Sequence, residues 1–513
     1  MDHRSLTSLL CEYADRISRA RVYDVAVESP LDFAPRLSRR LGNRVYFKRE
    51  DLQPVFSFKV RGAHNKIAQL PAAALQRGVI ASSAGNHAQG VALAAQRRGI
   101  RALIVMPKNT ASIKTEAVRA LGAEVVLHGS AYDDANAHAL ALAHAHGLEL
   151  VHPFADPDVI AGQGTIAVEL ARQWSGVPAA VFVPIGGGGL IGGIGAYLKR
   201  FYPTVKIVGV EPVDAATMHH ALRHGAPVTL DRVGIFADGV AVRRVSDETF
   251  RIARAVLDDI QLVDTDEICA AIKDVFEDSR TVLEPAGALA VAGLKRYVER
   301  NPGTLRTFIA INSGANLNFD RLRHISERAE LGEHREALLA VQIPEQRGAF
   351  LRFCEAIGER NVTEFNYRYA PSEQAQIFVG VSLHGAKDEA AALAQRLSSH
   401  GYSVLDLSDN ELAKLHLRHM IGGRVTSLRD EVIYRFEFPE RPGALLEFLR
   451  AVGVAWNISL FHYRNHGSDY GRVLAGVQVP AGDRGRFTAH LDKLGYAYFE
   501  ETANAAYRLF LGR

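Results

Sequence analysis

The chain has 513 residues, with 60 Lys and Arg against 57 Asp and Glu, a net charge of +3 and 48% hydrophobic residues. Near charge balance gives no reason to expect a nucleic-acid or membrane-surface partner, and at roughly 150 residues per domain the length suggests about three domains. The cysteines, Cys11, Cys269 and Cys354, are far apart and form no Cys-x-x-Cys pattern, which argues against a disulfide framework or a zinc site and for a reducing cytoplasm.

In chain order, residues 1–19 are mixed and charged, without the apolar core of a signal segment. Residues 79–81 read as a strand, and 87–98 follow with apolar positions at helical spacing, ending at Gly99. Residues 102–106 form a second strand, stopped by Pro107. Residues 112–121 are helical, Gly122 caps them, and 124–127 form a third strand. Residues 181–198 carry no charge over a length that raises the question of a membrane span. Seven glycines and Pro184 interrupt this stretch, so it reads as a strand, a glycine loop and a helix. Strands at 180–184, 206–210 and 306–311 continue the rhythm. Such alternation implies parallel sheets covered by helices on both faces, an α/β class. Ligands in these sheets bind in loops beyond the carboxyl ends of strands, which directs attention to the loops after Ala81, Pro184 and Ile311.

After about residue 321 the character changes. Residues 321–335 are highly charged and helical, a connector. Beyond them lies an internal repeat. Ile343-Pro344-Glu345-Gln346-Arg347-Gly348-Ala349 matches Phe438-Pro439-Glu440-Arg441-Pro442-Gly443-Ala444 at an offset of 95, and Asn361-Val362 matches Asn457-Ile458 at an offset of 96. Val379-Gly380-Val381 matches Ala475-Gly476-Val477, also at 96, so one inserted residue separates the copies, in the first helix or the turn after it. The first copy reads as strand, helix, strand, strand, helix, strand over 337–343, 347–357, 361–369, 375–382, 386–398 and 402–407. That order suggests a ferredoxin-like unit, with one sheet face for helices and the other free to pair with a sister copy.

Four segments could carry chemistry. Lys59 lies in Ser57-Phe58-Lys59-Val60-Arg61-Gly62-Ala63; a lone lysine is ordinarily solvated, whereas one forming a Schiff base needs an aldehyde cofactor and an anion site for its phosphate. Gly186-Gly187-Gly188-Gly189-Leu190 follows a strand and opens a helix, where bare backbone N–H groups and the helix N-terminus can hold an anion; a flexible turn is the alternative. Ser82-Ser83-Ala84-Gly85-Asn86-His87 could present N–H groups and hydroxyls to a carboxylate, or simply cap a helix. Ser313-Gly314-Ala315-Asn316 closes the last strand, where a turn is equally consistent.

Taken together with Glu284-Pro285-Ala286-Gly287-Ala288, these segments resemble the fold-type II pyridoxal-phosphate enzymes, and in order and spacing they are similar to the biosynthetic threonine dehydratases. The resemblance covers almost the whole chain. It implies two open parallel-sheet lobes in a pyridoxal-phosphate catalytic domain at 1–320, then two ACT-like βαββαβ regulatory domains at 336–408 and 430–502. It further implies that Lys59 holds the cofactor covalently and moves the α-proton, while Phe58 packs beside the ring and Asn86 bonds its 3-oxygen. Gly186, Gly187, Gly188, Gly189 and Leu190 would bind the phosphate, and Ser313 would meet the pyridine nitrogen. Ser83, Ala84, Gly85, Asn86 and His87 would form the substrate-carboxylate loop.

Two positions depart from the related serine racemases. Ala84 resembles a position that carries a serine there, so racemisation should be poor. Thr217, in Glu211-Pro212-Val213-Asp214-Ala215-Ala216-Thr217, stands where an acidic metal ligand is expected, so no metal site is anticipated; for Glu211 a helix-start carboxylate is the alternative role. The implied activity is conversion of L-threonine to 2-oxobutanoate and ammonia, with serine as a slower second substrate. The resemblance also implies feedback inhibition by isoleucine opposed by valine, with Tyr367 and Tyr463, at equivalent repeat positions, lining effector sites or packing in the sheet. Coupling between effector and catalytic sites requires two global states, for which self-association through sheet faces is the natural carrier, so a cytoplasmic homo-oligomer, a homotetramer, is expected. A catabolic serine/threonine dehydratase and a non-catalytic amino-acid-binding regulator are the competing readings.

Overall fold

The apolar runs of the first 320 residues become two mostly parallel sheets. The computed structural model describes residues 3–369, 373–385, 388–415, 417–419, 425, 427–439, 444–452, 455–464, 470–494, 496–504, 507 and 511. Two units are distinguished, Met1–Ala329 and Glu330–Arg513, with the helix Arg321–Gly332 running across the boundary in sequence.

In the first unit, a six-stranded sheet has the order Leu31–Phe33, Arg44–Arg49, Thr307–Asn312, Ala180–Pro184, Lys206–Pro212 and Asp259–Val263. All pairings are parallel except the antiparallel edge made by Leu31–Phe33. A four-stranded parallel sheet has the order Glu124–Leu127, Ala102–Met106, Val79–Ser82 and Glu149–Leu150. The strand Arg44–Arg49 was not expected, because its charged residues interrupt the apolar pattern. Its Lys48 and Arg49 are nevertheless buried, paired with Glu169 at 2.6 Å and Asp51 at 2.7 Å. The uncharged stretch at 181–198 resolves as strand, glycine turn and the helix Gly189–Phe201. Among the described residues no helix is long and apolar enough to cross a membrane. The three cysteines are free, and Cys269 and Cys354 are buried.

Helix packing sets the position of Lys59. The helix Lys59–Gln69 lies against Pro157–Gln173, where Gly62 meets Gly162. A Cβ on Gly62 would sit 2.6 Å from the Val159 carbonyl oxygen, and one on Gly162 would sit 2.7 Å from that of Arg61. Gly90, on the helix Asn86–Arg98, also approaches the Lys59 backbone, at 3.1 Å from an added Cβ. Glycine in the Ser57–Ala63 motif is therefore a close-packing requirement.

In the second unit the first repeat copy forms strands Glu336–Pro344, Val362–Arg368, Gln374–Ser382 and Ser403–Asp406 with helices Ala349–Ile357 and Glu389–Ser399. The helices Ala349–Ile357 and Ala444–Val452 are both nine residues long, so the inserted residue falls in the connection after them. The second copy's turn at 440–443 lies outside the described residues. The expectation that the copies pair through sheet faces is corrected by the strand pairing. Val362–Arg368 pairs antiparallel with Asn457–Arg464, making one eight-stranded sheet. Each four-strand unit leaves this strand at an edge with unpaired N–H and C=O groups, and joining the two edges satisfies both. Phe365 and Phe461 meet edge-on across the join, 5.6 Å apart, within a core shared by both copies.

Candidate active site

Lys59 begins its helix directly after Phe58. Its ammonium donates to the Pro153 carbonyl oxygen at 2.9 Å and lies 5.3 Å from the Phe58 ring centre. Burial lowers this ammonium to about 8, a shift that the nearby Glu284 carboxyl opposes only in its ionised form. Pro153 belongs to a segment that sequence reasoning missed, since the strand before it, Glu149–Leu150, is too short to show a period. His152 holds that segment: its Nδ1 accepts from the N–H groups of Phe154 at 3.2 Å and Ala155 at 2.9 Å.

The glycine run borders the same segment. A Cβ on Gly187 would lie 2.1 Å from the Phe154 ring, and one on Gly189 would lie 3.0 Å from the Phe154 carbonyl oxygen. Gly186 sits equally close to Val240, at 2.9 Å from an added Cβ. Gly188, at φ +92°, takes the left-handed conformation that favours glycine and turns the chain into the helix Gly189–Phe201. Leu190 is in the first turn of that helix. The first N–H groups of a helix have no partner within it, so the run presents donors and positive partial charge.

The third wall follows the strand Val79–Ser82. Ser83, Ala84, Gly85 and Asn86 are half-buried, and the space around a Cβ at Gly85 is open. The Ser83 hydroxyl accepts from the Gly85 N–H at 3.2 Å. Asn86 does not cap its helix. Its side chain donates to Glu284 at 2.6 Å and accepts from Asn316 at 2.7 Å. The His87 ring departs from the expected substrate loop: it is buried, with Nε2 bonded to the Val151 carbonyl oxygen at 2.7 Å, and burial pushes it down to about 3. What His87 offers the cleft is a backbone N–H in the first turn of its helix.

Ser313 is buried at the end of the strand Thr307–Asn312, with its hydroxyl 3.4 Å from the Ala286 carbonyl oxygen. Backbone bonds tie its loop to the other walls: Phe58 N–H to the Ser313 oxygen and Glu284 N–H to the Gly314 oxygen, each at 3.2 Å. Glu284 and Asn316 stand in motifs that assign neither of them a role, and their contact with Asn86 comes only from folding. Glu211 accepts from the N–H groups of Met218 and His219, each at 2.8 Å, the helix-start role. Among the described residues no cluster of His, Cys, Asp and Glu is arranged to hold a metal ion. In the second unit Tyr367 donates to both oxygens of Glu345, at 2.7 and 2.8 Å, while the buried Tyr463 lines a cavity with Arg360, Val362, Leu445 and Leu446.

Residues 23–314 match the family described as pyridoxal-phosphate dependent enzyme, and residues 327–417 and 422–511 each match the C-terminal regulatory domain of threonine dehydratase. The L-threonine dehydratase biosynthetic IlvA of Burkholderia multivorans is 56% identical over 98% of this chain and 99% of its own length. This chain belongs to the threonine dehydratase family. The enzyme of the same name from Pasteurella multocida is 54% identical over 98% of this chain and 97% of its own. The structure of the processed form of threonine deaminase isoform 2 from Solanum lycopersicum superposes with a TM-score of 0.62 at 49% identity, covering 64% of this chain and 90% of that one. The threonine dehydratase family uses pyridoxal phosphate, and the cleft suits that group. The buried Lys59 amine, with its lowered pKa, lies beside Pro153, the neighbouring glycine run has no room for side chains and opens a helix with its N–H donors, and Asn86, Glu284 and Asn316 bring polar groups from three loops together.

Proposed function

We propose that the chain eliminates water from L-threonine and releases 2-oxobutanoate and ammonia, the committed step toward isoleucine. The observation that carries this reading is the meeting of the Lys59 ammonium, the glycine run and the Asn86 loop at the carboxyl ends of parallel strands, in a chain alike to biosynthetic threonine dehydratases from end to end. Lys59 would hold pyridoxal phosphate, with the phosphate on Gly186, Gly187, Gly188, Gly189 and Leu190, Asn86 at the 3-oxygen, Phe58 against the ring and Ser313 at the pyridine nitrogen. Once bound, the cofactor supplies a conjugated sink for charge at the substrate α-carbon.

The protein's own groups do the rest. The Ser83 hydroxyl and the N–H groups of the loop through His87 orient the substrate carboxylate, and the Gly85 side of the loop leaves it room. Lys59, whose burial favours the neutral amine, takes the α-proton from the substrate carbon. Ala84 has no proton to give to the opposite face, which favours elimination over racemisation. Threonine and serine differ by a methyl worth about 1–3 kcal/mol in an apolar pocket, so serine is a slower second substrate.

The paired regulatory copies would bind isoleucine as inhibitor and valine as its opponent, with Tyr367 and Tyr463 at the candidate sites, in a cytoplasmic homotetramer. A steady-state assay of 2-oxo acid from threonine and from serine, with and without isoleucine, tests both parts. No 2-oxo acid from either substrate would refute the enzyme reading, and turnover indifferent to isoleucine would remove only the regulation.

A further inference from the structure

The side chain of Asn86 is held from both sides by groups without an assigned role. Asn316 Nδ2 donates to the Val55 carbonyl oxygen at 2.8 Å and to Asn86 Oδ1 at 2.7 Å. A backbone carbonyl only accepts, so this contact fixes which end of the Asn316 amide is the donor. The Asn316 donor in turn fixes Asn86 Oδ1 toward it. Asn86 Nδ2 then faces the other way and spends one of its two hydrogens on Glu284 Oε1, at 2.6 Å. One N–H of Asn86 remains.

The surroundings leave Glu284 little freedom. A Cβ on Gly314 would stand 2.5 Å from Glu284 Oε1, and one on Gly287 would stand 2.1 Å from the Gly314 carbonyl oxygen, so the loops are packed backbone to backbone around the carboxyl. The Glu284 backbone bonds Gly314 through its N–H and Gly287 through its oxygen. Glu284 is only 4% exposed, and burial pushes its carboxyl up to about 8, so near neutral pH it is mostly an uncharged acid.

We propose that Glu284 and Asn316 are positioning residues that lock the Asn86 amide in one orientation, leaving its second N–H to donate to the ring oxygen of the bound cofactor. This rests on the reading that Lys59 carries pyridoxal phosphate beside Asn86. Glu284 acts by shape and acceptance rather than by charge, so an amide in its place suffices. Loss of either clamp lets Asn86 turn, and the ring oxygen loses its donor.

The test uses the holoenzyme and its visible absorption band, titrated from about pH 6 to 10, together with cofactor retention on dialysis and far-ultraviolet circular dichroism. Asn86→Ala is the reference. Glu284→Ala and Asn316→Leu are expected to reproduce its change in band position and pH dependence, with at least tenfold faster loss of cofactor, while Glu284→Gln keeps the band of the unaltered protein. Folded Glu284→Ala and Asn316→Leu proteins with an unaltered band and retention, beside an altered Asn86→Ala, would overturn the proposal. If Glu284→Ala does not fold, Asn316→Leu and Glu284→Gln decide: an unaltered band in the first, or an Asn86→Ala-like band in the second, overturns it. A chain that shows no visible band with pyridoxal phosphate present before any substitution would instead overturn the site reading on which the proposal stands.

Discussion

Arg61 and Glu169 meet through two hydrogen bonds, 2.6 Å from Nη1 to Oε1 and 3.0 Å from Nη2 to Oε2, and neither side chain is exposed. Arg61 also grips Glu50 at 2.7 and 2.8 Å, and Lys48 reaches Glu169 at 2.6 Å. Two cations and two anions thus cancel inside the first unit. The cluster anchors the first turn of the helix that Lys59 opens to the helix Pro157–Gln173 and the strand Arg44–Arg49.

Removing one partner strands an uncompensated buried charge. Arg61→Met is expected to destabilise the first unit by about 3–5 kcal/mol. Arg101 and Glu124 form an exposed pair, so Arg101→Met should change stability by less than about 1 kcal/mol. Urea unfolding at pH 7 measures both. Burial works against the Glu169 carboxylate, but Arg61 and Lys48 outweigh it and hold it below its ordinary value of 4.5. Its stabilisation is therefore complete above that pH and is lost as the pH falls below it. Equal losses in the two Met variants would mean that the cluster carries no special weight.

Cofactor capture needs the neutral amine of Lys59. With its ammonium lowered to about 8, roughly one-tenth is neutral at pH 7, against about one in three thousand for an ordinary lysine near 10.5. The rate at which apoenzyme takes up pyridoxal phosphate should rise with pH and level off above about 8, and Lys59→Ala should form no visible band. Stopped-flow absorbance reads the profile; a rate still climbing steeply at pH 10 would contradict the lowered amine.

Much of this site could be read before folding because each piece punctuates a strand. The segments 79–81, 180–184 and 306–311 are uncharged or nearly so, and the Asn86, glycine and Ser313 loops follow them. The strand Arg44–Arg49 was hidden because Lys48 and Arg49 are buried as ion pairs, which an apolar pattern cannot reveal. The Pro153 and Phe154 wall was hidden for another reason: it follows a two-residue strand. The Asn86–Glu284 contact spans 198 residues, so no local signal announces it. The edge pairing of the repeat copies has no signature in sequence, because the apolar residues of Val362–Arg368 report burial and say nothing of an unpaired edge.

Gly187 tests the phosphate cradle. An added methyl would meet the Phe154 ring at 2.1 Å, a distance that some part must yield. Overpacking of this kind costs about 1–3 kcal/mol, so Gly187→Ala should weaken pyridoxal phosphate binding roughly 5- to 150-fold. Phe154→Ala in the same chain should recover part of the loss, which a double-mutant cycle of cofactor dissociation constants would measure. Additive effects of the two changes would place Phe154 away from the cradle in the loaded enzyme.

The equivalent tyrosines of the repeat offer unequal tests of regulation. Tyr367 donates to Glu345 through two bonds; Tyr463 lines the cavity beside Arg360, which pairs with Glu389 through Nη2 at 3.0 Å and whose Nε is buried without a partner. A buried guanidinium N–H next to apolar Leu445 and Leu446 suits the carboxylate and side chain of a branched amino acid. Coupling between an effector and an active site typically amounts to about 1–3 kcal/mol, a 5- to 150-fold shift in half-saturation. Tyr463→Leu should therefore raise the isoleucine concentration for half-inhibition by at least about fivefold, and Arg360→Leu should do the same. Tyr367→Phe should chiefly lower stability, by about 1–3 kcal/mol, through the acceptor it leaves at Glu345. Inhibition curves at fixed threonine, beside thermal melts of each variant, separate the two outcomes. An isoleucine response untouched by Tyr463→Leu and Arg360→Leu but abolished by Tyr367→Phe would move the effector to the other copy's tyrosine.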